Sequence, residues 1–545
     1  MKTSKLPDLN ALTLAEQVAQ MVVVRASGYL FDHQIKYPQW EPPAAKLRHL
    51  IADLGVGGVI LLGGSAAELA LRSQQIQNWA KIPLLIAADI EEGVGQRFSG
   101  ATWFPPLMAI GAIAQKDLNL AEQYAEQMGA IIAQEAIAIG INWVLAPVVD
   151  VNNNPDNPVI NVRAFGETPA VVSQLAAAFI EGAKRYPVLT TAKHFPGHGD
   201  TAVDSHLELP VIPHSSARLA EIELPPFAAA ISAGVDTVMT AHLLIPNWDR
   251  ERPATLSHPI LTGQLRENLG FEGLIVTDAL VMGAIANQYG TNEAPVLAVE
   301  AGADILLMPV DPEGAIAAIC HAVTSGRISS DRIRASVERI WSAKLKVFQD
   351  LSSEKRGAEG QRSGGAGERG SNFILQPLEE IAQPASLATA VNILRETTEV
   401  FGSVPLQVAN LVNLRNLIVV DNLLDCKFID RQAPAIAIPQ QLGYTTQLCD
   451  IHTPSASNSD DLQPTLMQVF IRGNPFRGSA GISSVAEDWF KKLLRAGKLQ
   501  ALILYGSPYI KKQFLEHLPS DIPCLYSYGQ IYAAQAIALE ALFGK

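Results

Sequence analysis

Cysteine is scarce in this chain: four residues, Cys320, Cys426, Cys449 and Cys524, among 545. They lie far apart and form no C-x-x-C, so a disulfide-built scaffold is excluded and buried free thiols in a reducing compartment are expected. Basic residues are too few to balance the acidic ones, 41 Lys and Arg against 54 Asp and Glu, for a formal net charge of −13. That deficit argues against a general affinity for nucleic acid or anionic membrane, both of which favour basic surfaces. No apolar run reaches the roughly 18 residues that a membrane helix needs. The stretch Met1–Asp8 leads into no apolar signal core. The expectation is a soluble cytoplasmic protein with no nucleic-acid or membrane partner and no obligate protein partner.

What is present is apolar sequence, 48% of the chain, with only 17% charged. Such a composition folds into well-buried domains, and the length is too great for one core. Thr13-Leu14-Ala15-Glu16 is a capping-box pattern that starts a helix. Short apolar runs follow at 21–24, 56–62, 83–88, 143–149, 188–191, 236–241, 273–277 and 303–308. Near-continuous apolar runs read as parallel strands covered on both faces. Helical stretches lie between most of them, near 117–139, 168–184, 216–233, 293–301 and 330–349. This alternation predicts an α/β fold, a (β/α)8 TIM-type barrel, with a doubly wound open sheet as the alternative. Residues 351–373, rich in Gly, Ser and charge, read as a flexible linker. Strand-like runs resume at 417–420, 466–471 and 501–505, and a helix closes the chain at 533–543. The expected organisation is a catalytic barrel over 1–350, the linker, and a smaller α/β sandwich-like domain over 374–545. No residue cluster in the second domain demands chemistry, so it reads as a packing domain.

The polar cluster of the barrel is Lys193-His194-Phe195-Pro196-Gly197-His198-Gly199-Asp200, followed by Asp204-Ser205-His206. It follows an apolar run, where α/β folds carry their chemistry. Other runs end on polar residues too: Asp89, Glu91, Glu92 and Arg97, then Asp150 and Arg163, then His242, then Asp278. In a barrel all of these fall on one face. Asp278 ends its strand either as a nucleophile or base, or as the cap of the next helix. Asp204 and His206, two apart, point the same way in an extended loop. The carboxylate can then orient the imidazole as a general acid/base. Lys193, His194, Arg97 and Arg163 donate hydrogen bonds and Asp89 accepts them, a ring that suits a sugar. Gly197 and Gly199 shape the loop by permitting positive φ. His194, His198, Asp200, Asp204 and His206 could instead hold zinc, but the histidines lack helical spacing and Lys193 adds a repelling charge. No metal and no organic cofactor is expected.

The stretch 193–206 resembles the signature of glycoside hydrolase family 3 β-N-acetylglucosaminidases (β-hexosaminidases) of the NagZ type. Supporting matches are Leu145–Asn152, Asn157–Ile160 with Arg163–Gly166, Met239–His242 and Gly273–Leu280. The resemblance covers roughly residues 10–345, and the second half resembles, more weakly, the α/β sandwich that follows the barrel in many members. It implies a retaining exo-glycosidase that removes terminal β-linked N-acetylglucosamine, typically from peptidoglycan fragments that end in anhydro-N-acetylmuramic acid. It also implies that Asp278 is the nucleophile, that His206 is the acid/base in a dyad with Asp204, and that Asp89, Arg97, Arg163, Lys193 and His194 bind the sugar. The loop after the third strand departs from the family's pattern, with Glu92 where glycine is usual and Gly95 where valine is usual. Ala164 stands for a usual serine. Alternatives are a family 3 β-glucosidase or a phosphorylase and, from other classes, a metal-dependent hydrolase or an inactive sugar-binding protein.

Overall fold

The structure is a computed structural model, which describes residues 6–205, 208–353, 378–406, 413–453, 463–473 and 478–544. Thr13 caps the first helix, Leu14–Gln20, by the reciprocal bonds its spacing predicts: the Thr13 hydroxyl accepts from Glu16 N, and the Glu16 carboxylate accepts from Thr13 N. Among the described residues eight parallel strands follow. They are β1 (Val22–Ser27), β2 (Gly58–Leu62), β3 (Leu85–Ala88), β4 (Trp143–Val144), β5 (Thr191–Phe195), β6 (Thr237–Thr240), β7 (Leu274–Val276) and β8 (Leu306–Leu307).

Strands β4-β3-β2-β1-β8 form one hydrogen-bonded sheet and β5-β6-β7 another. Bridges Trp143↔Leu189 and Val276↔Ile305 join the two sheets at both seams. The result is a closed barrel rather than an open doubly wound sheet. Its interior holds Trp143, fully buried, whose indole N–H donates to Thr191 Oγ1 at 2.9 Å and Thr237 Oγ1 at 3.2 Å. One buried donor thus ties β4, β5 and β6 together, as a buried indole requires.

The helices expected near 117–139, 168–184, 293–301 and 330–349 form as Leu118–Ala138, Pro169–Ala183, Glu293–Ala301 and Ser330–Ser353. The one expected at 216–233 is broken into Ser216–Ile222 and Leu224–Ser232, with Pro225 and Pro226 at the start of the second piece. Helix Ser330–Ser353 runs past the expected domain edge at 350. The remainder of the linker read at 351–373 lies outside the described residues.

The second half builds a six-stranded sheet in the order β11-β10-β12-β13-β14-β9. Its strands are β9 (Glu399–Phe401), β10 (Leu414–Val420), β11 (Tyr444–Cys449), β12 (Thr465–Ile471), β13 (Leu499–Gly506) and β14 (Cys524–Ser527). All pair in parallel except the edge strand β9. Alternate residues enter opposite cores. Leu417, Val419, Met467 and Val469 pack with Trp489 and Phe490, whereas Leu414, Ile418, Leu466 and Phe470 pack with Leu539 and Leu542. A period of two with both faces covered is the signature of a layered α/β sandwich. The first of these cores is continuous with the barrel's own apolar cluster. Among the described residues no helix is long and apolar enough to cross a membrane.

Candidate active site

Asp89 follows β3, Asp150 lies beyond β4, and Lys193 and His194 sit within β5. His242 and Asp278 stand two residues past β6 and β7. All occupy the C-terminal mouth of the barrel, where a (β/α)8 fold assembles its chemistry. The fifth strand differs from expectation. It begins at Thr191 rather than at 188, and it carries Lys193 and His194 near its end. The register of β5 against β6 shifts between Lys193 and Phe195, and such a bulge re-aims the side chain at His194.

The mouth is organised by a carboxylate, Glu91, that belongs to no motif of its own. Glu91, 3% exposed, accepts Arg163 Nε at 2.9 Å and Arg163 Nη2 at 2.8 Å. It also lies 2.6 Å from Lys193 Nζ. Lys193, itself 1% exposed, donates to Asp89 Oδ1 at 2.8 Å. Burial alone would raise the Glu91 carboxyl, but the two cations outweigh it and hold it well below the usual carboxylate range. Burial likewise works against the Lys193 ammonium, and Asp89 and Glu91 overcome it and raise it. Arg163 donates further to Val159 O at 3.0 Å, and Arg97 Nε to Asp89 O at 2.8 Å. Asp89, Arg97, Arg163, Lys193 and His194 are therefore brought to one mouth, as the sequence predicts. Asp89 keeps a third of its side chain open to solvent.

A second buried carboxylate holds the histidine loop. Asp150 Oδ2 lies 2.8 Å from His194 Nδ1, and Asp150 Oδ1 accepts His194 N at 3.1 Å and His198 N at 2.7 Å. Burial raises its carboxyl, and the neighbouring His194 and His198 more than reverse that and lower it. An ionised Asp150 only accepts, so the His194 proton sits on Nδ1 and Nε2 faces Arg163 at 3.5 Å. His198 is 2% exposed. Burial pushes its imidazole down to about 4, against the pull of Asp150. The neutral ring contacts Thr201 Oγ1 at 3.0 Å and Ser205 Oγ at 2.8 Å.

Of the two glycines, only Gly197 uses positive φ, +128°. Gly199 is needed for a different reason: a Cβ there would lie 1.8 Å from Val151 O. Asp204 and Ser205 are buried. His206 lies outside the described residues.

Asp278 is half-buried at the end of β7. The next helix, Gly283–Tyr289, starts behind Met282 and has no side-chain cap, so the capping alternative falls away. The Asp278 corner is fixed locally instead. Its Oδ1 accepts Ala279 N at 2.7 Å, and the Ala279 carbonyl lies 3.1 Å from Nε2 of fully buried His242. A carbonyl only accepts, so that ring nitrogen carries the proton.

Three of the possible zinc ligands have other partners. His194 pairs with Asp150, His198 with Thr201 and Ser205, and Asp200 with His214 at 2.8 Å and Arg218 at 3.3 Å. Among the described residues no group of three His, Cys, Asp or Glu is arranged to hold a metal ion.

Comparison with known proteins finds relatives for both halves of the chain. Residues 13–343 match the glycosyl hydrolase family 3 N-terminal domain, and residues 407–544 the bacterial glycosyl hydrolase family 3 C-terminal domain. Beta-hexosaminidase A of Pseudoalteromonas piscicida is 36% identical over 343 residues, covering 57% of this chain and 56% of that protein. The beta-N-acetylglucosaminidase/beta-glucosidase of Cellulomonas fimi is 32% identical over 326 residues, covering 58% and 57%. This chain thus matches little more than half the length of these two curated relatives. The solved family 3 beta-N-acetylglucosaminidase from Paenibacillus sp. str. FPU-7 superposes with a TM-score of 0.76 at 30% identity, covering 98% of this chain and 97% of that one. With its barrel matched nearly end to end and the second domain matched as well, the chain belongs to glycoside hydrolase family 3.

Proposed function

We propose that the protein is a retaining β-N-acetylhexosaminidase that removes terminal N-acetylglucosamine, with Asp278 as nucleophile and a His206–Asp204 dyad as acid/base. The observation that carries this reading is the placement of Asp278, two residues past β7, at the same C-terminal mouth as Asp89, Lys193 and His194. His198 contacts Ser205, the residue between Asp204 and His206, at 2.8 Å. In the first step an Asp278 oxygen bonds to the anomeric carbon while the glycosidic bond breaks, and His206 gives its proton to the leaving oxygen. In the second step His206 takes a proton from water, the water oxygen bonds to the same carbon, and Asp278 departs as carboxylate. Two displacements at one carbon retain its configuration. Asp89, Arg97, Arg163, Lys193 and His194 hold the terminal sugar by its hydroxyls.

Peptidoglycan fragments bearing a terminal N-acetylglucosamine are the proposed natural substrates, and the cytoplasm the proposed compartment. The free state of all four cysteines suits a reducing environment. A second reading, activity on glucosides, is favoured by the double name of the Cellulomonas fimi relative. The deciding assay compares an aryl N-acetyl-β-glucosaminide with the aryl β-glucoside, each with and without phosphate. The proposal expects turnover of the first in plain buffer with free sugar as product. Preference for the glucoside, or accumulation of a sugar phosphate, would overturn it.

A further inference from the structure

The loop that departs from the family's pattern, 89–97, is held from outside the barrel. Glu92, 2% exposed, forms a two-pronged ion pair with Arg472: Nη2 to Oε1 at 2.7 Å and Nη1 to Oε2 at 3.1 Å. Trp103 Nε1 donates to the same carboxylate at 3.1 Å. Arg472 is only 13% exposed and leaves the C-terminal end of β12. The order of the second sheet reverses between β10 and β12, and open α/β sheets take their ligands at such a switch point. Here Arg472, at that end of the sheet, takes a carboxylate of the barrel.

The next residue reaches the other sugar-binding loop. A Cβ on Gly473 would lie 2.6 Å from Asn161 Cβ and 3.0 Å from Pro158 O, so only glycine allows this approach. Asn161, two residues before Arg163, donates its N–H to Asn152 Oδ1 at 2.8 Å. Asn152 Nδ2 in turn donates to Tyr509 Oη at 2.9 Å, and Tyr509 stands on the second-domain helix Pro508–Leu515. Glu92 adjoins Glu91, which orients Arg163 and Lys193. Both loops that carry sugar-binding groups are therefore braced by the second domain at neighbouring points.

We propose that Arg472 is a positioning residue for sugar recognition: through Glu92 it sets the loop that presents Asp89, Glu91 and Arg97, so the second domain is part of the binding site's frame rather than only a packing partner. This rests on the functional reading above. A bidentate guanidinium–carboxylate pair fixes direction as well as distance, and binding groups that are not held in place beforehand must be ordered when the substrate binds, which costs affinity.

The test measures KM and kcat on the aryl N-acetyl-β-glucosaminide, and thermal unfolding, for the full chain and for Arg472→Ala, Arg472→Lys, Glu92→Gly and the double variant Glu92→Gly/Arg472→Ala. Loss of binding groups shared by ground and transition states raises KM, so Arg472→Ala is expected to show KM up about tenfold with kcat within about twofold. Arg472→Lys, which keeps charge but not the fork, recovers part of the loss. The double variant, with no buried carboxylate left unpaired, is less impaired than Arg472→Ala. Should Arg472→Ala not fold, Arg472→Lys carries the measurement, with a KM rise of a few-fold expected. An unchanged KM, with or without a lower melting temperature, overturns the inference, as does a fall in kcat at constant KM. An inactive wild-type chain would instead overturn the functional reading itself.

Discussion

His198 shows how one buried side chain can organise a loop at the barrel mouth. Its imidazole is pushed down to about 4 by burial, so it stays neutral and keeps both ring nitrogens for Thr201 and Ser205. The unfolded chain titrates this group near its ordinary 6.5. Between those values the unfolded state binds a proton that the folded state refuses, so stability falls as pH drops from about 6.5 towards 4. The loss at the acid end is about 3 kcal/mol. Glu91 and Asp150, both lowered, act in the same direction at still lower pH, where their stabilisation is lost as they protonate. Thermal melts of His198→Gln against the parent should show a shallower slope over that window, and an unchanged slope would deny the burial effect. The positions of Lys193, His194, Asp89 and Arg163 were legible in the sequence because strand ends of a barrel share one face. The role of Glu91 was not, since its partners lie 72 and 102 positions away.

At the scale of elements, the mouth is three chain segments tied at Glu91: the loop after β3, the strand β5 and the loop carrying Arg163. Glu91→Gln leaves Arg163 and Lys193 buried with reduced compensation, which typically costs about 3 kcal/mol or more. We expect a lowered urea midpoint together with a higher KM, and a stability loss without any KM change would separate Glu91 from sugar binding. The same coupling explains where sequence patterns placed elements poorly. Strand β5 carries Lys193 and His194 only because Asp89, Glu91 and Asp150 neutralise or bind them, and an apolar-run criterion stops short of it. Helix Ala66–Trp79 is poorly marked in the sequence although Ser65 and Glu68 form a capping box, because its apolar residues make only a weak stripe. Strand β11 alternates buried ends with a half-exposed middle and resembles a loop in composition.

For the whole molecule, the strand–helix alternation made both domains legible, since parallel strands buried on both faces must be apolar. Their relation was not legible. It depends on a continuous apolar cluster, the Glu92–Arg472 pair and the Asn152–Tyr509 bond, none of which has a local signature. A shared core predicts that calorimetry shows one cooperative transition rather than two separated ones. Two well-resolved peaks would mean that the interface couples the domains only weakly, and would also weaken the case for Arg472 as a positioning residue.

The central claim is that the Asp278 carboxylate becomes covalently bonded to the sugar. A fluorinated N-acetylglucosaminyl fluoride, which forms such an ester quickly and releases it slowly, allows the claim to be read by peptide mass analysis. The account predicts a single adduct on the peptide that contains Asp278, absent in Asp278→Asn, and a β-configured first product when the normal substrate is followed by NMR. An adduct on another carboxylate, or an α-configured first product, would contradict it.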